Sequence, residues 1–301
     1  MLFRSLATGS RVSPSPLPQL DEVGYITSDD AVALKQLPKS LIILGGGAIA
    51  CEFAQFFARF GVKTTLIQRS KNVLKEFDAD VGTEIKKVFQ REGIQVFTDT
   101  KLVDAGRKGK LKSITFEQDG RRVTVFAEEI LFALGRVPNT TSLDLAKAGV
   151  KTDAAGRVST NAKMQTSVPH IFAAGDVCGP HEIVHIAIQQ GETAVHNMVK
   201  PRAPRRMDYR LLISVVFTEP QVATVGLTEK AARENKIPFI TASSRTVMRF
   251  AIAVTISWMS SPPLGPTQLP PIISPVLGFD SSFTKPSFAS MMSDLPWSLN
   301  G

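Results

Sequence analysis

The chain has 301 residues, 43% hydrophobic and 21% charged, which is long enough for a sizeable core and within the range of a soluble globular protein. Its formal charge of +8 suits an anionic partner such as a dinucleotide, a nucleic acid or a membrane surface, without choosing among them. Its two cysteines, Cys51 and Cys178, exclude a disulfide framework and a CxxC pair and favour a reducing, cytoplasmic setting, and its longest apolar stretch, near 41–51, falls short of the roughly 20 residues of a membrane span.

The first 20 residues carry two arginines, several serines and no acid, a composition that also fits a transit peptide; the preferred reading is that they belong to the fold. Residues 40–45 read as a short buried strand. Residues 48–60 read as a helix with Ile49, Phe53, Phe56, Phe57 and Phe60 on one stripe, closed by Gly61. A strand at 62–68, a helix at 78–93 with its acids early, and a third strand at 95–100 follow. Residues 111–126 alternate on either side of Asp119-Gly120, a hairpin signature, and 128–135 bring a further apolar strand. Strand alternating with helix predicts an α/β fold: a doubly wound Rossmann-like unit with an inserted antiparallel meander and helices on both faces, spanning 40–150.

In that frame Gly45, Gly47 and Ala50 form G-x-G-x-x-A between a strand and a helix. The first glycine permits the tight turn, the second admits a pyrophosphate to the backbone, and Ala50 allows close helix-to-sheet packing. The second strand ends at Gln68, about 21 residues beyond Gly47, where a carboxylate would bind the ribose of NAD. Gln68-Arg69-Ser70-Lys71 stands there instead. A neutral amide followed by cations favours the 2′-phosphate of NADP, with NAD as the alternative.

Residues 41–61, LIILGGGAIACEFAQFFARFG, resemble the nicotinamide-binding segment of the class I pyridine nucleotide-disulfide oxidoreductases, nearest the branch of dihydrolipoamide dehydrogenases and mercuric reductases. Four further segments resemble that family in its order: LATGSRVSPSPLP at 6–18, ALGRVPN at 133–139, TSVPHIFAAGDV at 166–177 and FTEPQVATVGLTE at 217–229. The resemblance implies FAD beside NADP, with Asp176 on the ribityl chain, cofactor contacts at Gly135 and Arg136, and a helix near Ile183 aimed at the flavin ring. It implies a catalytic role for Glu52 near the nicotinamide–flavin contact, a small-molecule redox substrate, and a homodimer in the complete enzyme. It divides the chain into a flavin-binding remnant at 1–39, the nucleotide domain at 40–150, a second flavin segment at 151–200, and part of an α+β dimerisation domain at 208–250.

Departures from the family are equally plain. The family's first glycine fingerprint, its pair of cysteines four residues apart and its His-Pro have no counterpart in these 301 residues. From 251 the text holds three charged residues, eight prolines and both tryptophans, and reads as a disordered or out-of-frame tail. The chain therefore reads as an FAD-dependent NAD(P)H oxidoreductase by ancestry, inactive as it stands. The alternatives are an NADPH-binding module without chemistry and a truncated gene product. Cys178, His181 and His185 have zinc-like spacing but no clear fourth ligand, so no metal is expected. The basic run 200–210 is interrupted by prolines and reads as a solvated linker, with neither nucleic acid nor membrane as a partner.

Overall fold

The computed structural model describes residues 3–245 and 251–256, from 240 onward as backbone. The chain begins with β1 (Arg4–Leu6), β2 (Ser10–Val12), α1 (Pro18–Val23) and α2 (Ser28–Val32). The central unit follows as β3 (Ser40–Leu44), α3 (Ala48–Arg59), β4 (Lys63–Ile67), α4 (Ala79–Arg91), β5 (Gln95–Phe97), β6 (Lys101–Lys108), β7 (Leu111–Gln118), β8 (Arg121–Ala127) and β9 (Glu129–Phe132). Strands β5-β4-β3-β9 lie parallel in that order.

β3 is a continuous apolar run because both faces of its sheet are covered. Leu41 and Ile43 enter a core with Ala50, Ala54 and Phe57 of α3 and with Ile85 and Phe89 of α4. Ile42 and Leu44 point the other way, onto Ile114, Phe116 and Ala127. The second face is thus covered by the antiparallel sheet β6-β7-β8 and by Leu20 and Val23 of α1, where the strand–helix alternation predicts long helices. Alternation along β7 gives that sheet one apolar face, which packs where a helix would. Its hairpin closes at Asp119 and Gly120, whose φ values of 49° and 72° match the turn that twisted strands favour.

The expected stripe on α3 is corrected. Phe57 is fully buried, but Ile49, Phe56 and Phe60 are exposed. The helix lies on the sheet through Ala50, Cys51 and Ala54. Small side chains bring the helix axis close, and the exposed aromatic residues, about a third of a turn or more round the helix, are left to pack on one another, Phe56 and Phe60 at 4.7 Å between ring centres.

After β10 (Arg136–Pro138) the chain returns to its start. β10 pairs antiparallel with β2, and β11 (Ile171–Ala173) pairs parallel with β1. The N-terminal residues are therefore part of the fold. α5 (Val184–Val199) turns Ile186, Gln190, Thr193, Ala194 and Asn197 inward. Asn197 then grips the basic run, accepting from Arg205 N at 2.7 Å and donating to Arg205 O at 3.0 Å.

A third unit contains β12 (Ile213–Val216), β13 (Val222–Val225), α6 (Glu229–Glu234), β14 (Ile240–Arg245) and β15 (Ala251–Ile256). β12 pairs with β13 and β14 with β15, both antiparallel. The tail expected from 251 therefore opens with a paired strand, and its remainder, 257–301, lies outside the described residues. No described helix is long and apolar enough to cross a membrane.

Candidate functional site

The three glycines sit at the β3–α3 junction, where main-chain bonds hold the turn on every side. Gly45 N donates to Ile67 O at 2.9 Å, Leu74 N to Gly46 O at 2.6 Å, and Cys51 N to Gly47 O at 3.0 Å. Gly45 has φ +121°, and a Cβ there would lie 2.2 Å from Ala133 O, so the residue that follows β9 leaves no room for a side chain. Gly47 is the N-cap of α3 with φ −79°, and a Cβ there would meet nothing within 4 Å. No side chain caps the helix. The first-turn N–H groups and the dipole therefore face an open cradle suited to a phosphate. Ala50 is buried against the sheet.

Gln68 does not project into solvent. Its side chain is folded over Gly46, its Oε1 accepts from Arg69 N at 3.0 Å, and its Nε2 faces Asn72 O at 3.5 Å. Arg69 is exposed, and among the described residues it makes no ion pair. An open cleft of about 460 Å³ adjoins it, lined by Asp99, Thr100, Lys101 and the 117–120 turn. The hairpin turn as a wall of this site was not legible in the sequence.

Glu52 and Gln55, on the second turn of α3, hold the loop between β12 and β13 of the third unit. Glu52 Oε1 accepts from Phe217 N at 2.9 Å. Gln55 accepts from Glu219 N at 2.6 Å and donates to Glu219 O at 2.8 Å. One oxygen of the expected catalytic carboxylate is thus committed to the protein backbone. Asp78 fastens the same unit again, accepting from Glu229 N and Lys230 N at the start of α6.

The second group of expected residues lies where β2, β10 and the loop after β11 meet. Ser10, which carried no sequence signal, is its centre. Arg136 Nε donates to Ser10 Oγ at 2.7 Å, Arg136 Nη2 donates to Ser10 O at 2.9 Å, and Ser10 Oγ donates to Asp176 Oδ2 at 2.6 Å. Gly135 O accepts from Ser13 N at 3.1 Å. One residue, Leu134, separates Gly135 from Ala133, the neighbour of Gly45, so a short piece of chain joins the two groups.

Gln190, fully buried on α5, holds the 175–179 loop. It accepts from Gly175 N at 2.7 Å and donates to Gly179 O at 3.2 Å and Tyr209 Oη at 2.9 Å. A polar residue in the apolar register between Ile186 and Ala194 was the signal that could have found it. Nearby, loss of water raises the Glu182 carboxyl above its ordinary range; the charge of Asp176 adds to this, and Arg157 and Arg136 oppose it.

Cys51 and Cys178 lie in separate cores. Burial pushes the Cys178 thiol up to about 11 and the Cys51 thiol higher still. Neither is a ready nucleophile. Among the described residues no group of three or more His, Cys, Asp or Glu side chains could hold a metal.

Comparisons with known proteins follow this geometry. Residues 6–191 match the family model described as pyridine nucleotide-disulphide oxidoreductase. The mercuric reductase of Staphylococcus aureus is 38% identical over 229 residues, covering 76% of this chain and 42% of that protein. The dihydrolipoyl dehydrogenase of Bacillus subtilis is 35% identical over 244 residues, covering 78% and 51%. The chain thus spans about half the length, or less, of these curated relatives. Among solved structures, LpdA from Mycobacterium tuberculosis superposes with a TM-score of 0.77 at 23% identity, covering 91% of this chain and 59% of that one. The flavoprotein disulfide reductase RclA from Escherichia coli, a Cu(II) complex, superposes with 0.78 at 23% identity, covering 93% and 64%. Both likenesses concern the fold.

Proposed function

This chain belongs to the pyridine nucleotide-disulphide oxidoreductase family, whose members use FAD with NAD(P)H, and on that premise we propose that it supplies the NADPH site and one half of the flavin site of a disulfide-reductase-type enzyme. The observation that carries the reading is the open Gly47 cradle together with the exposed Arg69, which makes no ion pair among the described residues. The residues fit both groups. A pyrophosphate would take the first-turn N–H groups of α3, and a 2′-phosphate would meet Arg69 at the rim of the cleft. The cleft lining sets Asp99, Glu117 and Asp119 against Arg69 and Lys101, so it suits an uncharged ribose or base better than a phosphate.

For the flavin, Asp176 keeps Oδ1 without a hydrogen-bond partner among the described residues, ready to accept from a ribityl hydroxyl. α5 begins at Val184, with Ile183 as an N-cap that offers no side-chain bond, and presents bare N–H groups to developing negative charge. Hydride transfer from nicotinamide to flavin N5 is the chemistry these groups supply when bound. Glu52 is the carboxylate proposed beside that contact, oriented by Phe217 N. A small disulfide or similar acceptor would be reduced by the complete protein, as a homodimer.

Isothermal titration of the chain with NADPH and NADH tests the reading. NADPH is expected to bind tighter; equal affinities or an NADH preference would overturn it.

A further inference from the structure

We infer that Ser10 is a positioning residue for the flavin ligand, passing the charge of Arg136 to Asp176 while keeping one carboxylate oxygen open. The inference rests on the flavin half-site proposed above and goes beyond it by naming what sets that site.

The direction of each hydrogen bond follows from chemistry. A guanidinium has donors and no acceptor, so Ser10 Oγ must accept from Arg136 Nε. The one hydroxyl proton is then left for Asp176 Oδ2, at the 2.6 Å separation of an O–H···O hydrogen bond. Arg136 also holds the backbone of Ser10 through Nη2, so the serine is gripped at two points. The hydroxyl cannot turn away without giving up a bond to a charged group.

The geometry also shows what the serine prevents. Among the described residues Arg136 makes no ion pair; the hydroxyl stands between guanidinium and carboxylate. Were it removed, the guanidinium would be free to close on Asp176 and take both oxygens, as arginine–carboxylate pairs commonly do. Oδ1 would then no longer serve a ligand.

A purely structural role is a poorer account. β2 and β10 are already paired along the main chain, Arg136 opposite Val12 and Pro138 opposite Ser10, and Ser13 N adds a bond to Gly135 O. The hydroxyl adds one side-chain bond across that ladder, from Arg136 Nε, and does not end there. It reaches a third segment, 166 residues away in sequence, and ends on the residue proposed to hold the ligand. The charges of Asp176 and Arg136 reach Glu182, on which Arg157 also acts, and that of Asp176 reaches Cys178.

The test is FAD titrated into the 301-residue chain, followed by quenching of flavin fluorescence, with circular-dichroism melts as a control for folding. Ser10→Ala is expected to weaken FAD about tenfold, the order expected for one hydrogen bond to a charged group. Ser10→Thr, which keeps the hydroxyl, is expected to restore binding to within about twofold. In an Asp176→Ala background Ser10→Ala should change affinity less than about twofold, because a residue acting through Asp176 has nothing left to act on. Native affinity in Ser10→Ala, failure of Ser10→Thr to rescue it, or losses that multiply in the double variant would overturn the inference. Unchanged affinity in Asp176→Ala, or no binding by the native chain, would instead overturn the flavin reading beneath it.

Discussion

Two glycines two residues apart should respond oppositely to the same methyl group. In Gly45→Ala the new Cβ would lie 2.2 Å from Ala133 O and 2.9 Å from its carbonyl carbon, at φ +121°. The opposing backbone is pinned, because Ala133 N donates to Leu44 O and Gly45 N to Ile67 O, each at 2.9 Å. Relief requires a strained backbone, about 1–3 kcal/mol, and at least one broken buried main-chain bond, about 1–3 kcal/mol. The expected loss is about 3–5 kcal/mol, a large share of a stability of roughly 5–15 kcal/mol. At roughly 2–4 °C per kcal/mol, Tm should fall by about 10 °C. In Gly47→Ala the methyl meets nothing within 4 Å and φ is ordinary. The N-cap change costs about 0.5 kcal/mol, and Tm should move by no more than about 2 °C. The same methyl fills the cradle, however, and would displace a pyrophosphate from two or so charge-assisted N–H bonds, weakening NADPH about 100-fold. Thermal melts with calorimetric titration read both effects. Native NADPH affinity in Gly47→Ala would refute the cradle, and a native melt in Gly45→Ala would refute the packing argument.

Arg69→Ala should weaken NADPH about tenfold or more and leave NADH unchanged, since only the 2′-phosphate meets the guanidinium; parallel losses in titration would count against it. Gln68→Glu should move preference toward NADH, because a carboxylate repels the phosphate and also opposes Asn72 O; a retained NADPH preference would show that Gln68 is remote from the ribose. Burial raises both thiols, Cys178 to about 11, so at pH 8 only about one Cys178 in a thousand is thiolate, and reactivity should rise with pH toward that value. Mass spectrometry after iodoacetamide should find both cysteines unmodified in native protein and both alkylated in denaturant. The 301-residue chain purified without added flavin should be colourless and should not reduce lipoamide or oxidised glutathione with NADPH, since it carries a single glycine fingerprint and no near pair of cysteines. Stoichiometric bound FAD with turnover would contradict that.

Signals carried by neighbouring residues were legible. The glycine fingerprint, the spacing to Gln68 and the Asp119-Gly120 turn each involve one junction, so local geometry decides them. What depended on the distance between elements was not. On α3 two adjacent stripes compete, one of small residues and one of aromatic residues, and hydrophobicity alone favours the larger side chains. The gap beneath the helix decides otherwise, because four parallel strands with a meander behind them leave room for Ala50, Cys51 and Ala54 and, of this helix's phenylalanines, bury Phe57 fully and Phe53 in part. Gln68 looked like a group facing the ribose because it ends a strand, yet its amide accepts from Arg69 N and faces Asn72 O while the side chain lies over Gly46. Ser10 was invisible for a further reason. Its role is defined by Arg136 and Asp176, which lie 126 and 166 residues away, and a serine after a glycine in a short strand has no periodicity to mark it. Glu52 and Gln55 show the same limit from the other side. The charge of Glu52 beside an apolar stripe pointed to chemistry, and the structure shows that Glu52, with Gln55, fastens the loop at 217–220 to α3. A carboxylate with one oxygen held by a backbone N–H has lost the freedom to rotate and has one oxygen left, which is the state in which a residue beside a cofactor can orient it without reorganising.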